Sequence, residues 1–300
     1  MKRGQASTFN WIYIAVVGAI ILLIFIGFAV KQGAFSDRLL NLKVRDNIDN
    51  VISSYRAPYL ERTFTLPKDF QINYAKNSLS IDTGEKKVIY NKIIASPSKF
   101  KGKAISKNEY EFYVWTYPIL LPYQIDNLII LGSSNYGYKM RYDNEEIKNF
   151  ISPDIPSFVN LNSKEKEIYF TQAEECLTTQ NSNLMDIAYT IDNEEIYGYV
   201  CNNKEKLPFV GKGMLYSAVF SDDFSSIFNQ IVKRIQLVSQ LHLEEIKIYS
   251  KSCTQYSELT LLIGKIKSFN KNSNPEEILA TSRQIEKLNN KMTGRCPSVY

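Results

Sequence analysis

Four cysteines, Cys176, Cys201, Cys253 and Cys296, and one histidine, His242, are the residues of this 300-residue chain best suited by type to covalent, metal or acid–base chemistry. Their spacing withholds most of it. No C-x-x-C occurs, so zinc ribbons and thioredoxin-like redox sites lack their signature. A His-dependent triad would have to use His242, which sits between Leu241 and Leu243 in a long helical pattern, and no G-x-S-x-G accompanies it. It reads as a packing or surface histidine. "LGSSNYG" and "VGKG" hold glycines without the spacing of a phosphate loop and read as turns. Glu174-Glu175 and Glu244-Glu245 are adjacent pairs that point apart on a helix and read as solvated faces. No catalytic residue, cofactor or metal is nominated. A membrane-tethered hydrolase is the least favoured class and predicts a cleft with convergent polar groups.

The elements around these residues say more. Hydrophobic residues make up 44% of the chain, enough for a sizeable folded core. Thirty-six basic residues face 31 acidic ones, spread along the chain without a basic block, so nucleic acid is set aside as a partner. From Trp11 to Val30 the run is almost wholly apolar and uncharged. Roughly 20 such residues span a bilayer core of about 30 Å as a helix. The lipid bilayer is therefore the expected partner of residues 11–30. A cleaved secretion signal has a shorter apolar core of about 7–15 residues, although Gly27-Phe28-Ala29 offers a small-x-small cleavage site as the alternative.

Lys2-Arg3-Gly4-Gln5, a small polar stretch and the apolar run together resemble archaeal class III, pilin-type signal sequences. The resemblance implies a cut between Gly4 and Gln5, a cytoplasmic basic tip, and a helix that stays in the membrane or packs into a filament. Phe9 stands where such pilins carry Glu, which sets filament assembly behind simple anchoring.

Beyond the bilayer, Leu39, Leu40, Val44, Ile48, Val51, Ile52 and Tyr55 recur at three- and four-residue steps, predicting a helical stalk that stops before Pro58. From Phe64 to Val200, short runs rich in Tyr, Ile, Val and Phe predict strands. "IAYTIDNEEIYGYV" predicts a hairpin turning at Asp192–Glu195, and a short helix is expected over Asn144–Ile151. After Ser221 three antiparallel helices are expected, the third starting at Asn274-Pro275 and stopping at Gly294. "GKGMLYSAVFSDDF", the basic and apolar helix after it and a lone Cys resemble the C-terminal halves of archaeal membrane-anchored proteins with a pilin-like N-terminal segment, a group with no function attached.

The fold class expected is α+β: N-terminal transmembrane helix and stalk, β-rich middle domain, C-terminal antiparallel helices. The domains are 1–30, cytoplasmic tip and transmembrane helix; 31–57, stalk; 58–220, β-rich extracytoplasmic domain; and 221–300, three-helix region. Cys253 precedes the second of these helices and Cys296 follows the third, so an antiparallel pair brings the two together as a disulfide. Cys176 and Cys201 then pair across or beside the hairpin. Free buried thiols are the alternative. Counted naively, Lys and Arg on either side of the apolar run slightly favour the C-terminal side as cytoplasmic, but the rule is weakest where a long domain follows, because such domains translocate largely regardless of charge. The disulfides do favour an extracytoplasmic domain. These readings predict a single-pass membrane protein, N-terminus inside, with a structural or protein-binding role at the cell surface and other membrane or surface proteins as partners.

Overall fold

The computed structural model of the chain describes residues 16–17, 19–23, 25–26, 46, 48, 50, 52–53, 57–67, 70–75, 78–81, 86–88, 92–107, 109–162, 165–173, 184–202, 205–249, 256–292, 296 and 299. They fall into two units, Met1–Val51 and Ile52–Tyr300. In the first, the described positions between 16 and 26 are helical and, half-buried Val17 apart, expose their large apolar side chains. Among the described residues no helix is long and apolar enough to cross a membrane. Positions 11–15, 18, 24 and 27–30 of the span expected at 11–30, and most of the stalk expected at 31–57, lie outside the described residues.

The second unit is α+β, β-rich in its middle and helical at its C-terminal end. Its first sheet is built around β8 (Glu109–Leu120), buried from Phe112 to Ile119. Such a run, aromatic and β-branched with little alternation, fits a strand covered on both faces. β1 (Glu61–Leu66) pairs antiparallel along one edge of β8. Along the other edge run β7 (Lys103–Ser106) and then β9 (Gln124–Gly132), with β5 (Ile93–Ala95) parallel to β9 beyond. A smaller antiparallel sheet has the order β4 (Lys86–Val88), β3 (Ser78–Ile81), β2 (Gln71–Ala75), β6 (Lys99–Lys101).

The remaining sheet runs β10 (Tyr138–Tyr142), β11 (Lys166–Thr171), β12 (Leu184–Asp192), β13 (Glu195–Asn202), β14 (Glu205–Val210). Its first two pairings are parallel and its last two antiparallel. β12 and β13 form the expected hairpin. Asn193 and Glu194 close it with φ of 49° and 65°, a pair of left-handed residues whose twist suits a two-residue connection.

The expected short helix is α1 (Glu145–Ile151), where Asn144 Oδ1 accepts from Ile147 N at 3.1 Å. A 3-10 turn, Ser152–Asp154, follows and contains Pro153.

The stretch "VGKG", expected as a turn, instead opens helix α2 (Gly211–Val219), with Val210 at its N-cap. Every residue of α2 from Gly213 to Val219 is buried. A helix apolar on all sides has no stripe for sequence periodicity to detect. It touches β5, β8 and β9 of the first sheet and β13 and β14 of the third, so it is the layer between them.

The three C-terminal helices lie where they were expected: α3 (Phe224–Tyr249), α4 (Tyr256–Lys267) and α5 (Pro275–Met292). Asp223 Oδ1 accepts from Ser226 N at 3.1 Å and caps α3. Asn274 Oδ1 accepts from Glu276 N at 3.0 Å and caps α5. These helices are not set apart from the strands. α3 packs on β5, β9 and β14, and α5 on β13 and β14. One hydrophobic core runs from Ile93 and Trp115 through Tyr216 and Phe224 to Ile285 and Val299.

Candidate functional site

The N-terminal turn of α2 opens on a cavity of about 160 Å³ lined by residues from five parts of the chain. Tyr59 precedes β1; Tyr117 and Leu120 end β8; Glu194 and Glu195 turn the hairpin; Gly211 to Gly213 begin α2; Leu279 and Ser282 lie on α5. Close approach of α2 to β8 forms the floor. A Cβ built on Gly213 would stand 2.4 Å from the carbonyl oxygen of Pro118, so only glycine lets the helix approach this near.

Backbone conformation is unusual at the rim. Tyr59 has φ 59°, Glu194 φ 65° and Gly211 φ 78°, all left-handed, and all three line the cavity. Glycine adopts this region freely, whereas a tyrosine or glutamate held there costs of order 1 kcal/mol. Tyr59 is held by its N–H, which donates to Thr116 O at 3.0 Å, and its ring meets the Tyr117 ring edge-on at 5.2 Å.

Two polar networks flank the cavity, and both are committed to structure. Asp154 Oδ2 accepts from Lys212 Nζ at 2.7 Å, Tyr216 O–H at 2.9 Å and Tyr117 O–H at 3.3 Å. Lys212 also donates to Phe150 O at 2.9 Å. Burial first, and the Asp154 charge second, push the Tyr117 and Tyr216 phenols well above their ordinary pKa, so both stay protonated donors. On the far side Arg283 donates through Nε to Glu195 at 2.6 Å, through Nη1 to the Asp192 carboxylate, and through Nη2 to Asp192 O at 2.6 Å. These bonds tie the hairpin turn to α5 and hold the guanidinium pKa up. A hydrolase needs a nucleophile and base free to reach substrate. Lys212 and Glu195 are each engaged in ion pairs.

Two lining groups stay uncommitted. No partner to the Glu194 carboxylate is found among the described residues, and no side chain caps the N-terminus of α2.

Of the stretches weighed for chemistry in the sequence, "VGKG" lines this cavity as Val210–Gly213, and the described cysteines and His242 do not. Gly4, Gln5, Cys176, Cys253, Glu174 and Glu175 are outside the described residues. Cys201, on β13 opposite Asp186 and Lys206, and Cys296, whose N–H donates to Met292 O at 3.0 Å just past α5, are each disulfide-bonded. Their partner cysteines are outside the described residues. His242 packs its ring 4.3 Å from that of Tyr123 and places Nδ1 3.3 Å from Glu245 Oε2. Glu244 turns instead to Lys247 at 2.7 Å, so the adjacent acids do point apart. Among the described residues no cluster of His, Cys, Asp and Glu could hold a metal ion.

Comparison with protein families, curated proteins and solved structures finds no match to this chain.

Proposed function

We propose that this chain is a single-pass membrane-anchored protein with its N-terminus in the cytoplasm and residues 58–300 outside, serving a structural or protein-binding role at the cell surface. One observation carries the anchoring. Val16, Ile20, Ile21, Leu22, Leu23, Phe25 and Ile26 are helical and 48–68% exposed. Ile20 to Leu23 are consecutive, and steps of about 100° turn them to all sides of the helix. Apolar surface on every side has no solution in water and is stabilised by lipid, at about 25 cal/mol per Å² removed from water.

The disulfide state of Cys201 and Cys296 supports the outside placement, since disulfides persist in oxidising compartments. We assign the pairs as Cys176 with Cys201 and Cys253 with Cys296. Alkylation in denaturant without reductant tests this: four protected cysteines support it, and four alkylated ones overturn both the pairing and its support for placement. Membrane extraction at alkaline pH tests the anchor, which keeps the chain in the pellet; release into the supernatant counts against it.

The Lys2-Arg3-Gly4-Gln5 tip favours a second reading, a pilin-like subunit processed after Gly4 and assembled into a filament. N-terminal sequencing separates the two. A chain beginning at Gln5 supports processing, and a retained Met1 opposes it.

A further inference from the structure

Helix α3 leaves a row of large apolar side chains in water. Leu237, Leu241 and Ile248 are 52%, 61% and 73% exposed. The other large apolar side chains left exposed by the described residues of the 52–300 unit are Tyr59, Ile105, Leu120 and Leu261, which are scattered singly and need no explanation. At about 100° per residue, Lys233, Leu237, Leu241, Glu244 and Ile248 fall within one arc of about 80° on the helix. Phe224, Ile227, Ile231, Ile235 and Ile246, which face the core, lie on the opposite side, so the fold itself does not use this row. Its two charges are not fully used either. Lys233 is exposed and makes no ion pair with another described residue. Glu244 accepts from Gln240 and, at 2.7 Å, from Lys247, both through Oε1, which leaves Oε2 without a described partner.

From this we infer that the row packs against the same row of a second copy of the chain, the two α3 helices antiparallel about a twofold axis level with Ser239. That axis sets Leu237 against Leu241 of the second copy and Leu241 against its Leu237, a cluster of four leucines. Lys233 on one side of the axis then meets Glu244 of the second copy to within one residue, about 1.5 Å along the helix and well inside the reach of a lysine. The contact is made twice, as a twofold interface requires. Ile248 lies beyond each ion pair, level with Asn229 and Gln230 of the second copy. A parallel pair in register would instead set Lys233 against Lys233 and Glu244 against Glu244, so the charge pattern selects the antiparallel one. A lipid surface would accept the leucines but would press Glu244 into the headgroups beside them. One helix face per chain falls short of the roughly 1,200 Å² that stable complexes bury, so the dimer is weak and gains from chains held together in one bilayer. The register itself needs only the 52–300 unit, so its failure and the failure of the membrane reading are separate results.

Zero-length carbodiimide crosslinking tests it on the full chain, concentrated in detergent as an equal mixture of nitrogen-15-labelled and unlabelled protein. Mass spectrometry is expected to find Lys233 joined to Glu244 in peptides that carry one labelled and one unlabelled half. The link from Glu244 to Lys247 of the same chain, whose groups are 2.7 Å apart, shows that the carboxylate reacts and that α3 is folded. Changing Leu237→Gln and Leu241→Gln together removes the leucine cluster and is expected to cut the mixed link by about tenfold or more while the Glu244 to Lys247 link stays. Both leucines are exposed in the single chain, so the change spares its core. Exchanging the charges, Lys233→Glu with Glu244→Lys, is expected to restore the mixed link in the reversed sense. Three results overturn the proposal: the Glu244 to Lys247 link without the mixed one, Lys233 joined to another acid of its own chain, or a mixed link that the leucine changes leave untouched. A dimer held only by other parts of the chain gives the first of these.

Discussion

The ammonium of Lys166 donates to the carbonyl oxygen of Ala218 at 2.9 Å, inside the protein and at the C-terminal end of α2. It donates equally to Val219 O at 2.9 Å and also to Ser221 O. A helix that ends in the core has carbonyls that neither water nor further turns can satisfy. One buried lysine, entering from the first residue of β11, supplies the missing donors, and its positive charge suits the negative end of the helix dipole. The central layer of the fold is closed by this contact.

Lys166→Met is therefore expected to destabilise the 52–300 unit. Removing the ammonium relieves its desolvation but takes the side-chain donor from the Val219 and Ser221 carbonyls at about 1–3 kcal/mol each, while Ala218 O keeps the Ser221 N–H at 3.4 Å, so the net loss is about 1–4 kcal/mol. Chemical denaturation of the variant beside the native chain measures it. An unchanged midpoint contradicts the capping role.

The pH dependence follows from the same residue and from the buried tyrosines, with opposite signs. Burial lowers the Lys166 pKa to about 8 from 10.5. Between those values the unfolded chain holds a proton that the folded one has released, so this group makes stability rise with pH, by about 3 kcal/mol at most. Burial raises the phenols: Tyr123 to about 12, and Tyr113, Tyr138 and Tyr216 further. Their contribution is complete below the unfolded value of about 10 and is lost as pH climbs from there toward the folded values. Denaturation midpoints are expected to rise from pH 8, peak near pH 10 and then fall steeply. In Lys166→Met the rising limb disappears.

Two helical glycines should respond in opposite directions to the same change. In an exposed helix Gly→Ala stabilises by up to about 1 kcal/mol. Gly264 on α4 has nothing within 4 Å of an added Cβ, and Gly264→Ala should show that gain. At Gly213 the Cβ would meet Pro118 O at 2.4 Å, a backbone atom that cannot swing aside. Overpacking outweighs propensity there, and Gly213→Ala is expected to lose about 1–3 kcal/mol. Thermal midpoints of the two variants, one up and one down, check the claim.

Sequence periodicity had most to say where one face of an element meets solvent. α3 and α5 carry long stripes, Asn274-Pro275 marks a helix start, and the hairpin announces itself by alternation around Asn193-Glu194. α2 escaped because it is short, glycine-led and apolar all round. The parallel pairings of β10, β11 and β12 escaped because register between distant strands leaves no local mark. Lys166 offered no signal either: its role exists only because β11 delivers it to carbonyls about 50 residues away. The cavity was invisible for the same reason, being assembled from Tyr59, Tyr117, Glu194, Gly211 and Ser282, while Cys201, Cys296 and His242 lie outside its lining.

Glu194 offers a test of backbone strain at the hairpin turn. Glycine relieves the left-handed backbone at this position, so Glu194→Gly is expected to raise stability by about 1 kcal/mol, read as a higher thermal midpoint. A drop instead would mean that the side chain stabilises the turn and that the strain argument fails.

Protease treatment of intact cells, followed by mass spectrometry of the released fragments without reduction, tests the proposed placement most directly. Release of peptides from residues 58–300 before lysis, with Cys176 linked to Cys201 and Cys253 linked to Cys296, is the predicted result. Protection of that whole region until the cells are lysed, with the cysteines recovered as free thiols, would contradict it.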